Sequence, residues 1–194
     1  MNDIIRNMIT RRSVRHFTTQ QVLETDLTDI LTAAQYAPCG SNSQFWHFFI
    51  LQQAGILEEL NQLVRNAFAE HVVDENTYVS IRGGKEAAKR NDYSFHYHAP
   101  TLVVVTNRRT YPNAMADCAC ALENMQLAAH SLGLGSCWIN QLKWFGEKPE
   151  IRTVLERLGV PEDEKVFGAL AIGYPAGTVA DASPRKGDPF IFIR

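Results

Sequence analysis

Apolar residues recur at helical spacing in the first third of the chain. A stripe of three isoleucines and a methionine predicts a first helix from about Asp3 to Thr10. A second helix is expected to begin near Thr25, whose hydroxyl can cap it, and to stop at Pro38. A third helical period is set by four large apolar residues, Leu57, Leu60, Val64 and Phe68.

Three apolar runs predict the strands of a buried sheet. Trp46–Leu51 is rich in aromatic and β-branched residues, and Val166–Tyr174 forms a second run of this kind. The run Leu102–Thr106 suits a central strand covered on both faces. Between these runs, Asn113–Leu132 reads as an alanine-rich helix that can pack closely on several sides, with Gly133 as its C-cap.

The remaining stretches are less regular. Gly133–Ile139 is expected to be a tight loop entering a short strand, and one more helix ends at Gly159. Val72–Tyr97 has no clean period and contains a Gly-Gly pair, which favours a mobile excursion. The run Phe190–Ile193 is too apolar to lie in water at low cost, so it predicts a strand docked on a sheet edge, either the chain's own or a partner's.

Composition narrows the class of protein. The chain has 194 residues, of which 45% are hydrophobic and 21% charged, and a single domain over 1–194 is expected. The formal net charge of -2 gives no reason to expect nucleic acid as a partner. No apolar run is long enough to span a membrane. The four cysteines include no C-x-x-C pair, so neither a zinc site nor a disulfide framework is predicted, and the cytoplasm is the expected location.

Basic residues near the N-terminus are the first candidate site. Arg11, Ser13 and Arg15 are spaced by two, so in an extended segment they point the same way and form an anion cradle suited to phosphate. A solvated basic turn is the simpler interpretation of this spacing taken alone. The pair Arg185 and Lys186 could close on the same phosphate, although a surface pair explains it equally simply.

Other motifs either permit ligand contacts or are structural. The polar loop Pro38–Trp46 and the glycines of Gly133–Ser136 can approach a flat ligand, or they can be an ordinary turn and a helix stop. Cys118 and Cys120 are expected to be core or close-packing residues in preference to redox partners, and His96 and His98 to be structural histidines in preference to metal ligands. The chain lacks a Walker A loop, a G-x-S-x-G elbow and an H-E-x-x-H motif, and Trp138 occupies the third glycine position of a dinucleotide fingerprint.

Five motifs, taken in order, resemble the FMN-dependent nitroreductase family over nearly the whole chain. They are Arg-Arg-Ser-Val-Arg-His-Phe at 11–17, Ala-Pro-Cys-Gly-Ser-Asn-Ser-Gln-Phe-Trp at 37–46, Gly-Leu-Gly-Ser-Cys-Trp-Ile at 133–139, Ala-Leu-Ala-Ile-Gly-Tyr-Pro at 169–175 and Pro-Arg-Lys at 184–186. The first motif therefore belongs to the working protein and is not a transit peptide. Cys39 and Phe45 depart from the serine and proline that the family commonly carries at these positions.

The resemblance implies an α+β fold with a central mixed β-sheet flanked by helices, assembled as an intertwined homodimer with two FMN sites at its interface. By this resemblance, the FMN phosphate, ribityl chain and ring edge would be held by Arg11, Arg12, Ser13 and Arg15. The flavin would be reached from the other subunit by Ser41, Asn42 and Gln44. Gly135 and Ser136 would lie beside the ring, and Arg185 and Lys186 would close on the phosphate. No residue is expected to be catalytic in the strict sense, because flavin carries the hydride chemistry.

The implied function is electron transfer from NAD(P)H through FMN to nitroaromatic, quinone or similar acceptors by a ping-pong mechanism. Two alternatives stay open. One is a specialised flavin-dependent relative, such as a dehalogenase or a dehydrogenase, and the other is an FMN-binding module without turnover.

Overall fold

Helices alternate with four strands in the computed structural model, which describes residues 1–187 and 190–194. A short 3-10 turn covers Gly40–Asn42. The helices are α1 (Asp3–Thr10), α2 (Glu24–Gln35), α3 (Ala54–Glu70), α4 (Val79–Ala87), α5 (Ala114–Ser131), α6 (Gln141–Phe145) and α7 (Pro149–Arg157). The strands are β1 (His47–Leu51), β2 (Thr101–Arg108), β3 (Gly135–Ile139) and β4 (Glu164–Gly173).

The four strands form one sheet in the order β1-β2-β4-β3, and every ladder is antiparallel. Within the described ranges, the one parallel pairing is an isolated bridge between Ser13 and Ser136. The expected α+β class is therefore confirmed, while the mixed character of the sheet is limited to that bridge. As predicted, β2 is central, and all of its residues are buried except the last, Arg108, which is exposed.

Each face of the sheet carries its own layer of helices and its own core. On one face, α3, α6 and α7 bury large side chains that include Leu60, Phe68 and Leu142. On the other face, α2 and α5 pack around Ile30, Leu122 and Met125. This α/β/α layering leaves the ends of α5 and the edge strand β3 available to position a site.

Helix α5 fulfils the role expected from its alanines. It packs against α2 and against three of the four strands, with Ala121, Ala129 and Cys118 fully or almost fully buried. Small side chains permit this approach because they keep the helix axis close to the sheet. Gly133 ends the segment at φ +75°, in the left-handed conformation that favours glycine.

One predicted helix cap is wrong, and one helix was not predicted. Helix α2 begins at Glu24 with Leu23 in the cap position, and the Thr25 hydroxyl does not cap it. The segment 72–97, predicted to be a mobile excursion because it has no clean period, contains α4. The sequence does not predict this helix because its core-facing residues are mostly small and only partly buried: Ile81 and Ala87 pack against the core, and Gly84 lies against Phe68.

Apolar side chains are exposed at both ends of the chain. In α1, Ile4 and Met8 are 68% and 51% exposed, and in the tail the residues Phe190–Ile193 are 75–95% exposed. The described tail residues form no strand on the chain's own sheet. Of the two sheet edges on which this tail was predicted to dock, that of a partner therefore stays a prediction. In the described part of the chain, no helix combines the length and apolarity needed to cross a bilayer.

Candidate functional site

The basic segment that follows α1 is held against the edge strand β3. Val14 N donates to Ser136 O at 2.9 Å, next to the parallel bridge from Ser13. A Cβ atom on Gly135 would lie 2.8 Å from the side chain of Val14, so only glycine permits this pairing. Farther along, Thr18 N donates to Tyr174 O, and Ala176 N donates to His16 O, both at 2.9 Å. The segment therefore runs extended beside β3 and the end of β4, which is the condition under which the expected alignment of its side chains can arise.

Arg11 carries the clearest sign of a missing ligand. Its Nε and Nη1 atoms are buried and have no hydrogen-bond partner among the described residues. Its side chain lines a cavity of about 400 Å³ together with Arg12, His130 and Ser136. Because a buried guanidinium without acceptors is costly, this geometry calls for an anion in the cavity. One carboxylate, that of Asp181, is present in the described lining.

Arg12 has a structural role beside this cavity. Its Nε donates to Thr10 O at 3.2 Å, and its Nη2 donates to Ile9 O. These contacts satisfy carbonyl groups at the end of α1, where a cation is also favourable for the helix dipole. Of the two neighbouring arginines, Arg11 is thus the one whose donors remain available to a ligand.

The pKa of His130, at the end of α5, is affected by the neighbouring arginines. His130 Nε2 lies 2.9 Å from Thr10 Oγ1. Burial lowers the pKa of His130, and the positive charges of Arg11 and Arg12 lower it further. The imidazole is therefore neutral near pH 7, and the positive charge of the cavity comes from the arginines.

The expected alignment of Arg11, Ser13 and Arg15 is only partly realised. Arg11 lines the cavity described above, whereas Ser13 and Arg15 line an adjoining one of about 470 Å³, and Arg12 borders both. Arg15 also reaches a third and larger cavity of about 850 Å³. These neighbouring cavities, which share Arg12 or Arg15 in their linings, together form a basic groove, and the three positions do not converge on one point in it.

The larger cavity has aromatic walls. Arg15 lies over the ring of Tyr97, 5.8 Å from its centroid, and Trp138 and Trp144 are also part of the lining. Tyr97 has a φ of 58°, a left-handed conformation that a bulky side chain adopts only when its surroundings enforce it. Burial raises the pKa of the neighbouring Cys137 thiol, although Arg15 and Arg11 oppose this effect.

The polar loop before β1 lies at the other end of α5. Gly40 N donates to Asp117 Oδ1 at 3.1 Å, and Asp117 stands in the first turn of that helix. The 13 positions from Asp117 to His130 correspond to roughly 20 Å of helix at ~1.5 Å per residue. Within one chain, therefore, this loop does not share a cavity with the arginines.

Three exposed residues of that loop have backbones in the left-handed region. The φ angles are 53°, 53° and 49° for Ser41, Asn42 and Gln44. Gln44 Nε2 donates to Asn42 Oδ1 at 2.9 Å, and Ser43 is tied to Tyr111 and Asp117. Such conformations cost free energy and are typical of sites where polar groups are held outward. The neighbouring Cys39 is half-buried and packs against the core.

Arg185 and Lys186 lie exposed in the stretch that follows β4. They do not line any of the three cavities around the basic segment. Their expected approach to a phosphate is therefore not formed within the described part of a single chain.

The sequence analysis missed Tyr93, which lines the large cavity, and Asn61, which positions it. Buried Asn61 of α3 donates to Tyr93 O at 3.1 Å and accepts from Phe95 N at 3.0 Å. It thereby fixes the segment before β2, where Tyr93 is buried and its hydroxyl lacks a partner in the described chain. No local motif marks these residues, because the contact joins positions 32 and 34 residues apart.

His96, in the same segment, is structural as predicted. Its Nδ1 lies 3.2 Å from Ala99 O, which fits a donor role for that nitrogen. Burial lowers the pKa of His96 to about 4, so the ring is neutral at physiological pH. It supports the turn into β2.

The chain has a sheet with a helical layer on each face and a basic groove beside its edge strand β3, and comparison with known proteins identifies its class. The family model of the Nitroreductase family matches residues 8–174, so the chain belongs to this family of oxidoreductases. A nitroreductase of Bacteroides fragilis NCTC 9343, crystallised with bound FMN, is 40% identical, with a TM-score of 0.89 and complete coverage of both chains.

Curated relatives agree with this assignment. The FMN reductase (NADPH) of Bacillus subtilis is 27% identical over 91% of this chain and 67% of its own length. The nitrobenzene nitroreductase of Ectopseudomonas oleovorans is 26% identical over 90% of this chain and 86% of its own length. These relatives differ in the acceptors that their names state, so family membership leaves the acceptor of this chain to be argued from its own residues.

Proposed function

We propose that this protein is an FMN-dependent oxidoreductase that takes electrons from NAD(P)H and delivers them to nitroaromatic, quinone or similar acceptors. The observation that carries the proposal is the buried guanidinium of Arg11, whose Nε and Nη1 have no acceptor in the described chain. A phosphate monoester supplies the oxygen acceptors that this fork requires. The 40% identical Bacteroides nitroreductase with bound FMN supports the choice of phosphate ligand.

The residues around the groove fit such a cofactor from end to end. Arg11 would hold the phosphate, Arg12 and Ser13 would border the chain that joins phosphate to ring, and Arg15 would meet the ring edge. Ser136 lines the phosphate cavity, and the missing side chain of Gly135 is what brings the groove to the sheet. Arg185 and Lys186 would close on the phosphate.

FMN, when bound, supplies reversible two-electron chemistry, so the chain itself needs no acid–base pair. Its own residues provide orientation and charge. Arg15 places a permanent positive charge at the ring edge, which favours electron-rich states there. Donor and acceptor would bind in turn at the same exposed face, which is the basis for expecting ping-pong kinetics.

The site would be completed by a second copy of the chain. The loop bearing Ser41, Asn42 and Gln44 lies at the far end of α5 from Arg11, so it can reach a ligand in the groove only from another subunit. The exposed apolar face of α1 and the tail Phe190–Ile193 supply surface for that association. A homodimer thus accounts for two features that a monomer leaves unexplained.

Replacing Arg11 by alanine should weaken FMN binding by roughly 1.5–3 kcal/mol, the scale of a charge-assisted hydrogen bond. Fluorescence titration of FMN measures this loss. Arg82→Ala, at an exposed position on α4, is the matched control and should leave the affinity unchanged. Equal affinities for Arg11→Ala and the unaltered protein would show that the phosphate lies elsewhere.

Anaerobic mixing of the FMN-loaded protein with NADH or NADPH should bleach the oxidised flavin absorbance near ~450 nm within seconds, because electron donation is the first half of the proposed reaction. Stopped-flow spectroscopy follows the change. Subsequent addition of a nitroaromatic or quinone should restore the absorbance. A flavin that stays oxidised for minutes with both donors would contradict turnover and leave a binding module or a specialised relative.

A chain ending at Gly187 should dissociate to monomers at micromolar concentration and lose FMN affinity at the same time, because it lacks the exposed apolar tail. Sedimentation velocity measures the first effect, and flavin titration measures the second. The double variants Phe190→Ser/Phe192→Ser and Ile191→Ser/Ile193→Ser are a matched pair. If the tail docks as a strand, one pair weakens the dimer more than the other. A stable, flavin-loaded monomer would contradict the shared site.

A further inference from the structure

The large cavity beside Arg15 contains a buried hydroxyl that the described chain does not satisfy. Tyr93 is 7% exposed and lines the cavity, and its Oη atom has no hydrogen-bond partner there. Burial raises the pKa of Tyr93 well above its ordinary value, so the phenol stays protonated. Gln141 stands near enough to oppose this shift in part, but the two side chains do not meet in hydrogen-bond geometry. The hydroxyl is therefore a proton donor awaiting an acceptor.

The Tyr93 ring is held firmly in this position. Asn61 binds the backbone on both sides of Ser94, with distances of 3.1 Å to Tyr93 O and 3.0 Å from Phe95 N. The ring of Phe68 packs edge-on against Tyr93 at a centroid distance of 6.4 Å. Because backbone and ring are both fixed, the hydroxyl cannot turn away to find another partner. The strain of an unsatisfied donor persists until a ligand relieves it.

Small and aromatic residues line the cavity. From α4 come residues with little or no side chain, namely Ser80, Gly83, Gly84 and Ala87. The lining also includes the aromatic side chains of Tyr97, Trp138 and Trp144. A Cβ atom on Gly84 would lie 2.5 Å from the Phe68 ring, so α4 can approach that ring only because glycine is there. Aromatic side chains favour a planar aromatic ligand, with which they can stack or make edge contacts.

The charged groups of the lining have other roles. Arg90, the cation that follows α4, is paired with Asp92 at 3.2 Å. Arg15 is assigned to the cofactor ring edge under the proposed function. Among the polar groups of the described lining, the Tyr93 hydroxyl is the buried one that has no partner, and the acceptors that suit an uncharged phenol include a carbonyl, quinone or nitro oxygen.

We infer that Tyr93 is a specificity-determining residue of the acceptor site. Its hydroxyl donates a hydrogen bond to an oxygen of a planar, uncharged aromatic acceptor that binds in the cavity lined by α4 and by Tyr97, Trp138 and Trp144. This inference rests on the proposed function, since it assigns the cavity next to Arg15 to the electron acceptor. The Tyr93 hydroxyl would thus favour acceptors that carry a suitably placed oxygen, in addition to the preference of the aromatic lining for planar ligands.

The test compares two ligands of similar size on oxidised, FMN-loaded protein without reductant, so that neither ligand reacts. Calorimetric titration with nitrobenzene should give a dissociation constant about three to ten times higher in Tyr93→Phe than in the unaltered protein, the effect of one neutral hydrogen bond. Toluene, which has no acceptor oxygen, should bind both proteins equally. Tyr78→Phe, an exposed tyrosine beside α4, is the matched control and should behave as the unaltered protein.

The free protein supplies a second readout. Because the hydroxyl has no partner, Tyr93→Phe should keep or raise the melting temperature, by up to a few degrees. A melting temperature lowered by several degrees would show an internal hydrogen bond and overturn the inference. So would unchanged nitrobenzene binding, or equal weakening for nitrobenzene and toluene. If FMN binds and NAD(P)H reduces it while Tyr93→Phe has no effect, the inference fails and the proposed function stands. If FMN does not bind, the proposed function itself fails.

Discussion

The hydrogen bond from Val14 N to Ser136 O, 2.9 Å long, determines where the basic segment of this protein lies. It adds a short parallel bridge to the edge of an otherwise antiparallel sheet and depends on the absence of a side chain at Gly135. With this contact in place, Arg11 is directed toward the end of α5 and Arg15 toward the aromatic cavity. Without it, the four basic residues from 11 to 16 would be a solvated turn, which is the simpler interpretation of their spacing.

Two buried polar groups at the two ends of the groove are unsatisfied in the described chain: the guanidinium of Arg11 and the hydroxyl of Tyr93. Each lowers the stability of the free protein, because a buried donor without an acceptor loses its hydration and gains nothing in return. Ligands that supply the acceptors would stabilise the folded state through their binding free energy. The groups that lower the stability of the free protein are thus the same groups that would raise its affinity for a ligand, as is common in binding sites.

Local patterns predicted those elements whose burial follows a regular period. The alanine-rich helix, its cap at Gly133 and the central strand β2 belong to this group. Helix α4 was missed because it is short, is not buried and contains two glycines. The strand expected at Phe190–Ile193 is not formed within the chain, since its apolar side chains have nothing to cover them in a single copy.

In the candidate site, too, some features follow a local sequence pattern and others depend on contacts between distant parts of the chain. The alignment of Arg11, Ser13 and Arg15 expected from their spacing by two is only partly realised, since Arg11 and Arg15 line different cavities. The capping role of Arg12 depends on where α1 ends. Tyr93 and Asn61 could not be found from sequence because their contact spans α3, α4 and the turn between α4 and β2. The arrangement of the loop at Ser41 depends on the contacts of Gly40 with Asp117 and of Ser43 with Tyr111, which join positions 77 and 68 residues apart and leave no local pattern.

A crystal structure of the protein grown with FMN tests the central claim most directly, namely that Arg11 awaits a phosphate in a site shared by two chains. The account predicts phosphate oxygens at about 2.7–2.9 Å from Arg11 Nε or Nη1. It also predicts that the loop carrying Ser41, Asn42 and Gln44 reaches the ring from the second subunit. An FMN phosphate bound away from Arg11, with the guanidinium still unpartnered, would contradict the account, and so would a ring enclosed by one chain alone.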